Sequence, residues 1–428
     1  MTRNCSGDNS SFHFLSVLLI LGMNFILATT GNLIQDIVPK FGTDPHKVCK
    51  SSVILILPVT RKLPEPLTRW FTWLLPLTCA ILALQQLSGC AGPSYYTQAI
   101  SGHLALMGER EDIHDILGRA GTDPDLQREL KLALEIRAFA THQLGLPDND
   151  SYTEFVRTGR QAVSWNVVAA PEFSIQARRW CFLVSGCVPY RGYFDQQEAA
   201  EFAQKMRDKS YDVTISPAIA YSTLGWFDDP LLDTMLQYSD EQLAAFIFHE
   251  LAHQQLYVKS DAVFNETYAG FLEEEGVRQW LQETDRHELL PHWQTMETAS
   301  AQFSELLMKS RKRLADEYDS GRSEASMRLN KRKIFSEMKS DYLVLVSEQW
   351  NGENYFKSWF SNELNNANLA LINSYQGGLC AFRELYESAG RNIPQFQQLA
   401  AEKAALDRAQ RAAWLSQPCT AIDSGRKL

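Results

Sequence analysis

The chain has 428 residues, 45% of them hydrophobic, and a formal net charge of −10. That acidic balance excludes a general nucleic-acid partner and suits an exported, soluble catalytic unit. No internal repeat, long low-complexity tract or Gly-rich phosphate loop interrupts it.

The N-terminus is read first. An apolar run from Phe14 to Ala28 is followed by Lys40, Lys47, Lys50, Arg61, Lys62 and Arg69, and then by a second apolar run from Trp70 to Leu84. Were both runs to span a membrane from a cytoplasmic N-terminus, the basic loop would fall outside, against the positive-inside tendency. The simpler expectation is that residues 1–60 lie upstream of the functional start, which falls near Val59 or Leu63. Residues 61–89 then form a signal peptide, with a basic region, an apolar core and a small-residue site. The alternative is a genuine N-terminal anchor with a second helix after it. Leu87-Ser88-Gly89-Cys90 resembles the lipobox of bacterial lipoproteins. The resemblance implies a lipidated Cys90 and a membrane partner through that anchor. Ala91, rather than an aspartate, follows it. The expected location is the Gram-negative cell envelope, at the periplasmic face of the outer membrane.

After Cys90 about 340 residues remain, enough for one large domain or two intimate ones. Residues 95–147 predict helices: Leu126, Leu130, Leu134, Ile136 and Phe139 supply an apolar face, and Thr122-Asp123-Pro124 a start. Trp165 to Ala169, Trp180 to Val188 and Tyr211 to Ala220 read as strands of a small sheet. An edge strand of such a sheet can hold an extended peptide by backbone pairing. From Asp240 onward the pattern is almost wholly helical, and Lys309 to Lys333 reads as a solvated helix or mobile connection. The fold class is α+β, mostly helical. Its parts are 90–150 (helical), 151–235 (small sheet), 236–285 (metal-binding helices) and 286–428 (helical). Of the cysteines beyond Cys90, Cys181 and Cys187 could clasp a turn, which leaves Cys380 and Cys419 to pair by arithmetic.

The chemistry sits at His249-Glu250-Leu251-Ala252-His253. Histidines four apart share one helix face and reach one ion, and the intervening glutamate is placed to take a proton from water activated there. Ser239-Asp240-Glu241-Gln242 starts the helix, and its apolar run is too short to cross a bilayer. Two histidines do not complete a catalytic zinc site, which takes three protein ligands. Downstream stand Phe264-Asn265-Glu266-Thr267-Tyr268-Ala269 and the run Glu273-Glu274-Glu275.

Asn-Glu-x-aromatic-Ala after His-Glu-x-x-His resembles the gluzincin metallopeptidases. The longer stretch from His249 through Val258 to Phe264-Asn265-Glu266 resembles a bacterial family described as aminopeptidases. That likeness extends over most of the chain beyond residue 90, including Trp180-Cys181-Phe182, Tyr190-Arg191-Gly192-Tyr193-Phe194 and Tyr221-Ser222-Thr223-Leu224-Gly225-Trp226-Phe227. The resemblance implies a zincin-like fold with Zn2+ on His249, His253 and Glu266, Glu250 as general base, and peptide substrates. The interval from His253 to Glu266 is shorter than in thermolysin. Glu273, at about the thermolysin distance, is the rival third ligand, or supports a histidine from behind.

An oxyanion donor is expected at Tyr375, within Asn365-Asn366-Ala367 to Gly377-Gly378, with Tyr221 and Tyr190 as rivals. Glu172 could bind a substrate amine and Arg191 a peptide carbonyl or carboxylate. Each could equally be an internal or exposed charge without that role. The reading adopted is an envelope zinc aminopeptidase acting on short peptides. A zinc endopeptidase on envelope proteins and a non-catalytic lipid-anchored scaffold are the alternatives.

Overall fold

A computed structural model describes residues 93–182, 186–223, 225–372 and 378–417. Cys90, Tyr375 and Cys419, with the proposed signal segment, lie outside the described residues. Three helices open the described chain: α1 (Pro93–Gly108), α2 (Ile113–Gly118) and α3 (Pro124–His142), with the two-residue strand β1 (Glu111–Asp112) between the first two. The Asp123 side chain accepts the Asp125 and Leu126 N–H groups and Pro124 stands at the first turn, so α3 starts where its sequence demands.

The strand region holds three small sheets instead of one. β2 (Glu154–Val156) joins β1 antiparallel and β8 (Leu231–Leu232) parallel. β3 (Ser164–Pro171) is central in the second sheet, between β6 (Arg191–Tyr193) and β7 (Tyr211–Ala218), both antiparallel to it. Helix α4 (Gln196–Arg207) connects β6 to β7 and packs on their face through Ala199, Ala203 and Met206. The stretch expected as one strand from Trp180 to Val188 is two, β4 (Trp180–Phe182) and β5 (Gly186–Val188), paired with Cys181 opposite Cys187. Their side chains form a disulfide across a Cα–Cα distance of 3.8 Å. Cys380 is also in a disulfide.

Two helices carry the centre of the molecule. In α5 (Asp240–Gln255) every residue from Glu241 to His253 is buried. The Ser239 N–H donates to Gln242 Oε1 at its start, satisfying a group the helix itself leaves free. α6 (Ala262–Glu283) lies against it. A Cβ built at Gly276 would stand 2.8 Å from Leu144 Cδ1 and 2.9 Å from Phe248 Cδ2, so glycine is what permits the close crossing. Ala244, Ala245, Ala252 and Ala269, all fully buried, serve the same main core with small volumes.

Beyond them α7 (Leu290–Tyr318) and α8 (Glu324–Val344) form a helical hairpin. Lys309 to Lys333, expected as a solvated helix or a mobile connection, is helical on both sides of the hairpin turn and mostly exposed or half-buried. Leu314 is fully buried there, because charged positions alternate with an apolar stripe that meets Ile334 and Phe335. The last helices among the described residues are α9 (Asn366–Leu369), α10 (Leu379–Ser388), α11 (Ile393–Ala404) and α12 (Arg408–Leu415). The amides of 365–368, expected to mark a catalytic segment, tie α9 to the second sheet. Asn365 Nδ2 donates to Val213 O and Asn366 Nδ2 to the Pro171 and Glu172 carbonyls. The outer edge of β7 is thereby engaged at Val213. Among the described residues no helix is long and apolar enough to cross a membrane.

Gly276→Ala adds a methyl group where α5 and α6 touch. Overpacking should outweigh the roughly 1 kcal/mol gained in helix propensity, for a net loss of about 1–2 kcal/mol, read as a lower urea midpoint with an unchanged slope.

Candidate metal centre

The connection from α5 to α6 sets the site. α5 ends as Leu256 turns extended, and Asp261 then caps α6 by accepting the Phe264 N–H. Asn265, in the first turn of α6, makes two hydrogen bonds to one residue of the connection: Val258 N–H donates to its Oδ1 at 2.8 Å and its Nδ2 donates to Val258 O at 2.9 Å. This fixes the first turn of α6 against the loop. Asp261 is held in turn by Arg411 of α12, Nε to Oδ2 at 2.6 Å. Ser260, with φ of 66°, accepts the Cys187 N–H on its hydroxyl, which docks the disulfide hairpin on the same loop. Gly186 leaves room for that hydroxyl, since a Cβ there would lie 2.1 Å from it.

With the connection fixed, Glu266 meets both histidines. Its Oε2 is 3.6 Å from His249 Nε2 and 3.6 Å from His253 Nε2, and the two nitrogens are 3.1 Å apart. Tetrahedral donors each about 2.0–2.1 Å from one cation stand about 3.3 Å apart. The observed triangle brackets that spacing. A carboxylate–imidazole distance of 3.6 Å is too long for a good hydrogen bond, and Glu266 Oε2 is buried with no hydrogen-bond partner among the described residues. Two imidazole nitrogens and one carboxylate oxygen also match the donor preferences of zinc and its neighbours. These residues therefore fit a divalent cation.

Behind His249, Glu273 Oε2 lies 2.8 Å from Nδ1. It sits two turns beyond Glu266 on α6, so it orients the imidazole from the side away from the cluster. Burial alone would lower the His249 pKa, but the Glu266 and Glu273 carboxylates facing its two ring nitrogens reverse that and raise it to about 10. His253, fully buried, is lowered by desolvation. The neighbouring carboxylates are pulled apart. Glu266 is held down to about 2 because, although burial opposes ionisation, both histidines favour its anion. Glu250 is pushed up to about 8, first by burial and then by Glu266 and Asp229. Glu250 is 2% exposed, and its Oε2 has no partner among the described residues.

The remaining expected residues fall elsewhere. Glu172 forms a two-point ion pair with Arg328, at 2.6 and 2.9 Å, so its charge is spent on joining the sheet to α8. Arg191 is buried with its guanidinium over Tyr95 (4.2 Å) and Phe202 (4.4 Å), in the aromatic core behind the second sheet. Tyr221 is 3% exposed and its Oη is 2.7 Å from His103 Nδ1. Tyr190 packs against that aromatic core and against Val168 and Ala170. A residue that sequence reasoning missed is Tyr257, half-buried, with its ring centroid 6.5 Å from that of His253 and its hydroxyl raised to about 12 by burial and by Glu266. Its spacing, four after His253, was the available signal. An open depression of about 890 Å³ lined by Gln98, Gly102, Trp165, Phe194 and Gln196 contains none of these site residues.

His249, His253 and Glu266 thus form a buried cluster whose donor atoms could hold one metal ion. Residues 94–415 match the model of the family described as "Putative aminopeptidase", and the chain belongs to that family, which points to peptidase activity. Comparison with curated proteins gives no match, and comparison with solved structures gives none either.

Two outcomes are expected. Glu273→Ala should weaken cation affinity about 10- to 100-fold, measured by competition with a chelator. Because His249 without a cation keeps its proton up to about pH 10, a cation must displace it. Apparent affinity should therefore rise about tenfold per pH unit above neutrality, and calorimetry in buffers of different ionisation enthalpy should show about one proton released.

Proposed function

We propose that the protein is a zinc-dependent peptidase, acting as an aminopeptidase on short peptides in the cell envelope. The observation that carries this reading is the meeting of His249, His253 and Glu266 around one point with Glu250 beside it. Family membership supplies the peptidase class. Zinc, when bound, contributes Lewis acidity at the scissile carbonyl and makes water at the site more acidic.

The chain's own residues do the rest. Glu266 and the two imidazoles hold the cation, with Glu273 fixing His249 in the tautomer that leaves Nε2 free to bind. The Glu250 carboxylate takes a proton from the attacking water and delivers it to the departing amine. Its raised affinity for protons suits that exchange, since a base that also serves as an acid works best near the ambient pH. The buried surroundings keep bulk water from screening these charges. Tyr257 and Tyr375 are the candidates for hydrogen-bonding the oxyanion, Tyr257 through its place beside Glu266 and Tyr375 through its sequence context. Export is supported by the basic and apolar pattern of residues 61–89 ending in Leu87-Ser88-Gly89-Cys90, and by the Cys181–Cys187 disulfide.

Glu250→Gln should retain one zinc per chain and lose hydrolysis by about 100-fold or more, whereas His253→Ala should lose both. Metal analysis with turnover of free and N-acetylated peptide libraries checks this. Turnover confined to free N-termini is the expected pattern; equal cleavage of acetylated peptides would instead assign an endopeptidase.

A further inference from the structure

Six large apolar side chains stand exposed among the described residues, and three of them lie together. Leu104 of α1 is 55% exposed, and Trp226 and Phe227, in the turn between β7 and β8, are 57% and 39% exposed. The His103 and Phe227 rings, with centroids 4.9 Å apart, bring that turn against α1 beside Leu104. Single apolar residues on a surface need no explanation, but an adjoining leucine, tryptophan and phenylalanine do.

The turn is built to hold its aromatic pair outward. Gly225 takes a φ of 77°, and the Trp226 N–H donates to Thr223 O at 3.1 Å. Thr223 Oγ1 accepts the Phe227 N–H at 3.0 Å and donates to Phe227 O at 2.7 Å. Beneath it, the buried Asp229 carboxylate accepts the Thr223 N–H at 2.8 Å and Gln254 Nε2 at 2.9 Å. Gln254 follows His253 on α5, so the aromatic pair is fixed to the helix that carries both histidines. On a loose loop such a pair would fold back onto the protein; here that would break every one of these bonds.

Two features indicate what covers this face. α1 contains no Asp, Glu, Lys or Arg in its 16 residues, and its exposed side is Ser94, Thr97, Ser101, Leu104 and Ala105. No charge has to leave water when that side meets another surface. The apolar run from Trp70 to Leu84 ends nine residues before Pro93, and Cys90 stands three before it. Nine residues reach about 30 Å at most and three about 10 Å. A bilayer engaged through either therefore lies within reach of the start of α1, and Leu104 is about 16 Å further along that helix.

We propose that this face docks the protein on a lipid bilayer. Leu104, Trp226 and Phe227 enter the interfacial layer, where aromatic side chains are favoured, and they hold the body with the His249–His253–Glu266 cluster in one orientation on the membrane. The inference goes beyond the peptidase reading and rests on membrane anchoring through the N-terminal segment. The face offers no Lys or Arg, so docking needs no anionic lipid.

The test reconstitutes the full chain in phosphatidylcholine vesicles whose acyl chains carry bromine just below the headgroups, and reads tryptophan fluorescence. Subtracting the signal of Trp226→Phe isolates Trp226 from the other tryptophans, Trp70 and Trp73 of the apolar run included. That component should lose about half its intensity to the bromine, the depth expected of an interfacial side chain. In a Leu104→Ser, Phe227→Ser background, measured the same way, it should recover most of that loss while the chain still floats with the vesicles. A Trp226 component equally bright with and without bromine, in chains that float, would overturn the docking and leave the anchor standing. Chains that do not float would overturn both. An unquenched Trp226 whose replacement by Ala raises the KM for peptides would overturn the docking too, and would assign the turn to substrate.

Discussion

The structure depends on one packing event, the close crossing of α5 and α6. Charged and polar side chains that would ordinarily stay in water are carried into the core on these two helices, and they are tolerable only because each meets the others. Gly276 and the surrounding alanines let the backbones approach. Asn265 and Asp261 then fix where along that contact the second helix begins. A slip of one residue would rotate Glu266 by about 100° around its helix and take its carboxylate away from both imidazoles.

Around that crossing, burial separates groups of the same chemical type. Three carboxylates near the histidines behave differently. Glu266 is kept ionised by the imidazoles, Glu273 engages one imidazole from behind, and Glu250 is driven toward its protonated form. The first two favour a cation, and the third is suited to exchanging a proton. Such divergence within a few ångströms is typical of acid–base sites, where environment and not residue type assigns the role. The exposed ion pairs work otherwise. Arg328 with Glu172 joins α8 to the second sheet in a solvent-screened setting, where such pairs add little stability and mainly fix register.

Much of this could be read in the sequence, for reasons that differ by element. The helices were legible because an apolar face repeats over many residues, as in α3 and α5. The partition into three sheets was not, since strands of two or three residues such as β1, β2 and β8 show no alternation. His249, Glu250 and His253 were legible because helical spacing alone brings them to neighbouring faces, and Glu273 because it lies two turns from Glu266. Glu172 looked available because its partner, Arg328, stands 156 residues away. The amides of 365–368 looked like a functional segment for the same reason, their acceptors on β3 and β7 being far off in sequence.

The Arg411–Asp261 pair bears on biosynthesis. The guanidinium that secures the start of α6 belongs to the last described helix, 150 residues downstream, and it also donates to the carbonyls of Ala404 and Leu406. A ribosome must add 150 residues beyond Asp261 before this arginine exists. Until then the helix that carries Glu266 lacks its clasp, so its first turn is secured only once α12 has been added to the chain.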